Sequence, residues 1–201
     1  MLSVMRRTSL ALACAATLVA ACSKADKQPD SARVTDSATV AATATSALTP
    51  AAPALTDANI VAILDGANAA DSAAGSVAAA KATSAEVKTF GRDMMRDHHA
   101  LRVATQDLAR KLNITPELPA GDNSAAAAAA WQDSLNAMPR GADWDKAYIN
   151  HEVTAHEAVL TTAQTALGAA QNAELKALIQ KAAPDVQAHL DRAKQIQSKL
   201  K

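Results

Sequence analysis

From Thr56 onwards, this 201-residue chain predicts an all-α fold of four long helices and one short helix. Alanine dominates this part of the chain, and β-branched residues form no runs of the kind that favours strands. Glycine and proline cluster at a few joints between the apolar stretches. Aromatic residues make up only 2% of the chain, so we expect a slim core of alanine, leucine, valine and isoleucine.

Capping residues and helix breakers set the boundaries of the first two helices. The first is expected from about Asp57 to Ala82. The second begins at Thr83-Ser84-Ala85-Glu86, because a threonine three residues before a glutamate is typical of a capping box. It runs to about Leu112 and ends at Asn113-Ile114-Thr115-Pro116, since proline cannot continue a helix.

A long connection over residues 113–141 follows. It contains a short helix from Ser124 to about Ala137, which Pro139 and Gly141 end. The next long helix is expected to run from a cap at Asp143 to Leu167.

Gly168 is expected to end this fourth helix, and Asn172 to begin the last one. The last helix is predicted to continue to the C-terminus with a kink at Pro184, whose ring removes a backbone hydrogen bond. Two long hairpins joined by a long crossover with a short extra helix are typical of a ferritin-like four-helix bundle. The sequence therefore predicts this architecture for residues 56–201.

The first residues of the chain are typical of a secretion signal. Arg6 and Arg7 precede an apolar run that is too short for a good membrane span. The run ends in Val19-Ala20-Ala21-Cys22, which is similar to the lipobox of bacterial lipoproteins, whose cysteine is diacylated after cleavage. We therefore expect residues 1–21 to be removed and Cys22 to be lipidated. A plain cleaved signal with an incidental Cys22 is the alternative.

The segment over residues 22–55 is predicted to be a disordered tether, because it consists largely of alanine, threonine, serine, aspartate and proline. A flexible coil of this length reaches about 30 Å. Ser23 after the cysteine favours, by resemblance to lipoprotein sorting in double-membrane bacteria, the outer membrane over the inner one. The folded domain would then face the periplasm, attached to the membrane through its lipid anchor.

Composition excludes several classes of function. Cys14 lies in the predicted signal, so the mature chain would have one lipidated cysteine and neither a disulfide nor a thiolate site. Loss of Arg6 and Arg7 would leave two more acidic than basic residues, and no basic patch suggests nucleic acid as a partner. We find no nucleophile elbow and no phosphate-binding loop, so a hydrolase is not supported.

Three histidines occupy positions that the apolar spacing of their helices assigns to the core. His98, His156 and His189 continue stripes of apolar residues at steps of three and four in the second, fourth and fifth helices. Asp71 has the equivalent position in the first helix, and Glu152 shares the face of His156. The sequence predicts that these side chains meet in one polar layer near the middle of the bundle.

Residue numbering within each hairpin also gives relative heights. Two residues of an antiparallel hairpin lie level when their mean position falls at the turn. This places Asp71 level with His98 and Glu152 level with His189, with His156 one turn away. Asp97 and His98 straddle the seam of the second helix, and the spacing does not decide which of them faces the core.

The sharper hypothesis for this layer is a site for one divalent transition metal. Neutral imidazoles and carboxylates on facing helices ligate Zn²⁺, Fe²⁺ or Cu²⁺. A di-iron centre is not expected, because Met95 and Val186 stand where the Glu-x-x-His motif would need glutamates. The candidate ligands are Asp71, His98, Glu152, His156 and His189.

Two further hypotheses need no metal. A buried hydrogen-bond network, supported by Asp97 and Tyr148, would hold the helices in register. Alternatively, the domain is a binding module whose cavity or crossover receives a ligand or a protein partner, with exposed Trp131 and Trp144 as a contact surface. A tryptophan there more often closes the end of a bundle.

The remaining candidates have simple interpretations. His99 and His151 are expected on solvated outer faces, and Met94 and Met95 in packing.

Several blocks together resemble a known bacterial family. They are Val87-Lys88-Thr89-Phe90-Gly91, Met94-Met95-Arg96-Asp97-His98, Asp145-Lys146-Ala147-Tyr148 with His156, and Ala183-Pro184-Asp185-Val186-Gln187-Ala188-His189-Leu190. The chain is similar, over residues 56–201, to the "domain of unknown function 4142" family of exported, often lipid-anchored ferritin-like proteins. The family commonly has glutamate where this chain has Asp71, and often methionine or glutamine at Glu152. The resemblance implies a helical bundle in the cell envelope and no established activity.

Overall fold

The computed structural model describes residues 55–200, which form five α-helices and no strand. They are α1 (Asp57–Lys81), α2 (Ala85–Lys111), α3 (Ser124–Ala137), α4 (Ala142–Ala169) and α5 (Ala173–Gln197). The prediction of an all-helical domain with four long helices and one short helix is confirmed for this part. The predicted signal, Cys22 and all but the last residue of the predicted tether lie outside the described residues. No described helix combines the length and apolar character needed to cross a membrane.

The α1–α2 hairpin is held by an unusually close approach of two backbones. A Cβ atom on Gly75 would lie 2.6 Å from the carbonyl oxygen of Gly91, and one on Gly91 would lie 2.6 Å from the Cβ of Ala78. Only glycine at both positions allows this contact. Helices α4 and α5 form the second hairpin, and the two hairpins meet through α2 with α5 and α1 with α4.

The predicted capping box at the start of α2 is wrong in its register. The cap is Ser84, whose side chain accepts a hydrogen bond from the backbone of Val87. The backbone N–H and hydroxyl of Thr83 donate instead to the buried carboxylate of Asp145, which also accepts from the backbone of Ser84. A residue of α4 therefore stabilises the turn, and Glu86 pairs with Lys199 on the surface.

Three predicted helix ends also differ from the structure. α4 begins at Ala142 after Gly141, whose φ of 154° favours glycine, so Asp143 lies in the first turn and does not cap the helix. α4 continues through the exposed Gly168, because one glycine costs a packed helix only about 1 kcal/mol. α5 ends at Gln197, short of the C-terminus, and Pro184 lies inside it.

Two apolar clusters fill the core, one on each side of a polar layer. The first surrounds Phe90, Trp144 and Tyr148, and the second surrounds Ile60 and Leu175. Between them, along each long helix, lie polar side chains that we call the polar layer: Asn68, Asp71, His98, Glu152, His156 and His189. The predicted position of this layer, near the middle of the helices, matches the structure.

The tryptophans of the crossover region close one end of the core. Trp144 is fully buried, donates its Nε1–H to the carbonyl oxygen of Leu135 and stacks on Tyr148. Trp131 is half-buried and stacks on His151, with ring centroids 4.0 Å apart. The expectation of a solvated His151 is therefore wrong, because the short helix brings an indole onto its ring.

Candidate metal centre

Three helices place three imidazoles together in the polar layer. His98 on α2 is 1% exposed, His156 on α4 is fully buried and His189 on α5 is half-buried. The ring centroid of His98 lies 5.4 Å from that of His156 and 5.3 Å from that of His189. One ring nitrogen from each lies within 4.8 Å of the other two. In tetrahedral Zn²⁺ sites such nitrogens are about 3.3 Å apart, so the three rings would move towards one another around an ion.

The hydrogen bond of His156 fixes its tautomer. Its Nδ1 lies 2.8 Å from the backbone carbonyl oxygen of Glu152, one turn earlier in α4. A carbonyl oxygen only accepts hydrogen bonds, so Nδ1 carries the proton. The lone pair of His156 is therefore on Nε2.

The tautomer of His98 follows from Asn68. The amide nitrogen of Asn68 donates to the carbonyl oxygen of Leu64 at 2.8 Å, which orients the amide and turns its Oδ1 towards His98. The distance from this oxygen to Nδ1 of His98 is 2.9 Å. Nδ1 therefore donates, and Nε2 of His98 keeps its lone pair.

Asp97 plays the same part for His189. Its carboxylate lies 3.2 Å from Nε2 of His189 and accepts two hydrogen bonds from the guanidinium of Arg96. The hydrogen bond from Arg96 lowers the pKa of Asp97, so this group is an ionised acceptor. Nε2 of His189 donates to it, and the lone pair is on Nδ1.

The three lone-pair nitrogens are the ones that the described residues leave without a hydrogen-bond partner. Nε2 of His98, Nε2 of His156 and Nδ1 of His189 are all buried and unpartnered within residues 55–200. A buried polar atom without a partner costs about 1–3 kcal/mol. The hydrogen-bond network that was predicted as an alternative to a metal site therefore includes only three ring nitrogens. They are Nδ1 of His98, Nδ1 of His156 and Nε2 of His189, which we call the outer nitrogens.

The electrostatics of the site keep two imidazoles in the form that binds metals. Burial, with the neighbouring His156 and His189, lowers the pKa of His98 to about 3. Burial also lowers the pKa of His156 to about 4. Both rings are neutral at pH 7, which is the state in which imidazole ligates a metal.

Each imidazole also has a carboxyl group beside its proton-bearing nitrogen. Oδ2 of Asp71 lies 3.5 Å from Nδ1 of His98, and Oε2 of Glu152 lies 3.4 Å from Nδ1 of His156. Asp97 completes the set at His189. Of the three, the carboxylate of Asp97 accepts a hydrogen bond from its histidine, as carboxylates that orient metal-bound histidines do.

Two of these carboxyl groups are buried deeply enough to hold protons. Burial raises the pKa of Asp71 to about 7. Burial and the charge of Asp71 raise the pKa of Glu152 well above its usual range. Burial and the charge of Glu152 likewise raise the pKa of the buried Tyr148 hydroxyl, one turn before Glu152 on α4.

The sequence-predicted residues separate into two groups in the structure. The three histidines converge, whereas Asp71, Glu152 and Asp97 lie beside their outer nitrogens. The sequence left open whether Asp97 or His98 faces the core; the structure buries His98 and leaves Asp97 half-buried at the edge.

Asn68 is the site residue that the sequence reasoning missed. It lies three residues before Asp71 on the same helix face, a spacing that could have identified it. Among the other candidates, Met94 is fully buried in packing, whereas Met95 and His99 are exposed.

Comparison with known proteins assigns a family and no activity. No curated protein and no solved structure matches the chain. Residues 39–196 match the family model described as Domain of unknown function (DUF4142). This match covers more than half of the chain and contains every residue of the polar layer. The chain therefore belongs to the DUF4142 family.

Proposed function

We propose that this DUF4142 domain binds one divalent transition-metal ion through His98, His156 and His189. The proposal rests on the division of the six ring nitrogens of these histidines into three that donate hydrogen bonds and three that keep a lone pair. Every ring nitrogen that faces an oxygen acceptor carries a proton, and every ring nitrogen that keeps its lone pair is buried, unpartnered and free to ligate. A bound cation would satisfy all three lone pairs at once.

The donor set favours particular metals. Imidazole nitrogen suits Zn²⁺, Cu²⁺, Ni²⁺ and Fe²⁺, whereas Mg²⁺ and Ca²⁺ prefer oxygen ligands. One ring nitrogen of each histidine lies within 4.8 Å of the other two, which fits a single ion. Oδ1 of Asn68, the backbone carbonyl oxygen of Glu152 and the carboxylate of Asp97 accept from the outer ring nitrogens and would orient the imidazoles.

We also propose a location for this metal-binding domain. The lipobox-like residues that end at Cys22, the tether and Ser23 support a lipid-anchored protein of the outer membrane with its domain in the periplasm. The two hairpins and the long crossover support a ferritin-like four-helix bundle. The domain would hold or hand over a metal ion in that compartment.

The test is metal binding by the mature chain, purified without affinity tag or chelator. Titration calorimetry with Zn²⁺, Co²⁺ and Cu²⁺, together with elemental analysis, should show one ion per chain and a raised melting temperature. His98→Gln should abolish this binding. His99→Gln is the matched control, because His99 is the next residue of α2 and is exposed.

Two results would contradict the proposal. One is wild-type protein that melts at the same temperature with and without each metal. The other is equal metal affinity in the His98→Gln and His99→Gln variants, which would show that the ion binds elsewhere. Either result would leave the polar layer as a device that fixes helix register.

A further inference from the structure

We infer that the metal ion keeps an open coordination position that takes a small anion, which enters through a groove between α2 and α5. The inference rests on the metal site proposed above and adds a ligand and a route to it. It would make the domain a binding site for an exogenous ligand in addition to a metal store.

The number of protein ligands leaves one position free. Within residues 55–200, the cluster of histidine, cysteine and acidic side chains with ligand atoms within 4.8 Å of one another consists of three imidazoles. Zn²⁺ and Co²⁺ take at least four ligands, and three protein ligands with one open position are typical of sites that bind water or substrate. The carboxyl groups of the layer lie against the outer ring nitrogens instead.

The charge of the ligands favours an anion at this position, in addition to the ionised Asp97 that lies beside His189. Three neutral imidazoles leave both positive charges of a divalent ion uncompensated by its protein ligands. Two of these imidazoles belong to fully buried side chains, where the effective dielectric constant is low and an uncompensated charge is costly. A small anion such as hydroxide or azide would lower this cost, as hydroxide does at catalytic zinc ions.

Solvent reaches the cluster at the outer edge of His189, beside Asp97, whereas Nδ1 of His189 is buried. The side chain of His189 is 11% exposed, compared with 2% for His98 and 0% for His156. His189 and Asp97 line a groove of about 370 Å³ between α2 and α5.

Small side chains keep this groove open. Its walls include Ala100, Ala104 and Ala182, which leave room that larger residues would fill. A second cavity of about 410 Å³ continues along the same two helices and shares Ala104 and Lys181 with the first. The charged side chains along this groove are Lys181, Asp97 and Asp185, so the entry of an anion does not depend on attraction by the groove lining.

The experiment uses the mature chain loaded with Co²⁺, whose visible absorption reports its coordination. Titration with azide should shift the spectrum and saturate at one azide per Co²⁺. Ala100→Trp, which fills the groove at an exposed position, should slow azide association about tenfold, since access limits the on-rate. Its Co²⁺ affinity should stay at the wild-type value.

Ala158→Trp is the matched control. Ala158 is exposed on α4, two residues from His156, and does not line the groove. Azide should bind this variant at the wild-type rate. Equal azide association rates in the two tryptophan variants would overturn the proposed route.

Other outcomes separate this inference from the proposed function. Stoichiometric Co²⁺ binding with no azide-dependent change in the spectrum would overturn the open position and leave the metal site standing. If azide binds only after Glu152→Ala, the carboxylate of Glu152 fills the fourth position, and the inference is also overturned. Failure of Co²⁺ to bind at all would instead contradict the metal site itself.

Discussion

Nδ1 of His98 lies 2.9 Å from Oδ1 of Asn68, and the amide of Asn68 is in turn oriented by its hydrogen bond to Leu64. Because Nδ1 donates in this contact, the lone pair of His98 is on Nε2, which is buried and unpartnered within residues 55–200. The acceptor on α1 therefore sets the orientation of a ligand on α2.

Removal of this acceptor should weaken metal binding without removal of a ligand. Asn68→Ala should lower metal affinity about 10–100-fold, which is the usual effect of losing a hydrogen-bond partner of a metal-bound histidine. Asn68→Asp keeps an oxygen acceptor near Nδ1 and should retain most of the affinity. Titration calorimetry of both variants checks this, and equal affinity of Asn68→Ala and wild type would contradict the role of Asn68.

Asp97 should act in the same way on His189. Asp97→Asn can present an N–H to Nε2 of His189, which would move the ring proton to Nδ1 and remove the lone pair from the site. We expect a loss of metal affinity of about 10–100-fold. Asp93→Asn is the control, since Asp93 pairs with the same Arg96 from the surface and does not reach His189. A similar loss in both variants would point to a general effect of charge on α2.

The metal-free protein should show a plateau of stability between about pH 4.5 and 6.5. Below pH 6.5 the unfolded chain protonates His98 and His156, whereas burial keeps their folded pKa values at about 3 and 4, so both residues lower stability as the pH falls. Asp71 and Glu152 have the opposite effect, because burial raises the pKa of Asp71 to about 7 and that of Glu152 well above 4.5. The folded state keeps protons that the unfolded carboxyl groups release, so the two effects offset each other.

Thermal unfolding in EDTA across this pH range measures the plateau. His156→Gln removes one imidazole and leaves both carboxyl groups, so its melting temperature should rise as the pH falls from 6.5 to 4.5. As the pH rises above 6.5, the stability of the wild type should fall. Both imidazoles are then neutral in the folded and in the unfolded state, whereas the buried carboxyl groups still bind protons only in the folded state. A steady loss of wild-type stability from pH 6.5 to 4.5 would mean that Asp71 and Glu152 are ionised in the folded state.

The close approach of α1 and α2 predicts opposite effects of two Gly→Ala substitutions in one helix. A Cβ on Gly75 would meet the backbone of Gly91 and Met95 at 2.6 and 2.7 Å, so Gly75→Ala should cost about 1–3 kcal/mol of unfolding free energy. Gly66 has no atom within 4 Å of such a Cβ, and Gly66→Ala should add about 0.5–1 kcal/mol. Urea denaturation distinguishes the two, and a stabilised Gly75→Ala variant would contradict the packing.

Much of the fold could be predicted from the sequence because its signals are local. Capping residues and breakers gave the five helices, and steps of three and four placed His98, His156 and His189 in the core. The turn before α2 was assigned one residue off, because its stabilising partner, Asp145, is 62 residues from Thr83 in the chain. The ferritin-like topology and the lipidation of Cys22 stay predictions.

The site itself depended on details that spacing does not contain. Asn68 was missed because alanine on every side of α1 blurs the apolar stripe. The choice between Asp97 and His98 depends on the rotation of α2 about its axis, which the contact of Gly75 with Gly91 helps to set. The ring tautomers follow from partners on other turns and helices, so no single helix pattern could have given them.

The separation of the core into two apolar clusters has a consequence for how the domain opens. Each end of the long helices has its own apolar cluster, and the layer between them contributes unpartnered nitrogens instead of hydrophobic burial. Amide hydrogen exchange should therefore resolve two cooperative units in the metal-free protein. An ion at the three imidazoles would join α2, α4 and α5 at the boundary and merge these units into one. Loss of the metal would then let the two ends of the bundle open independently of each other.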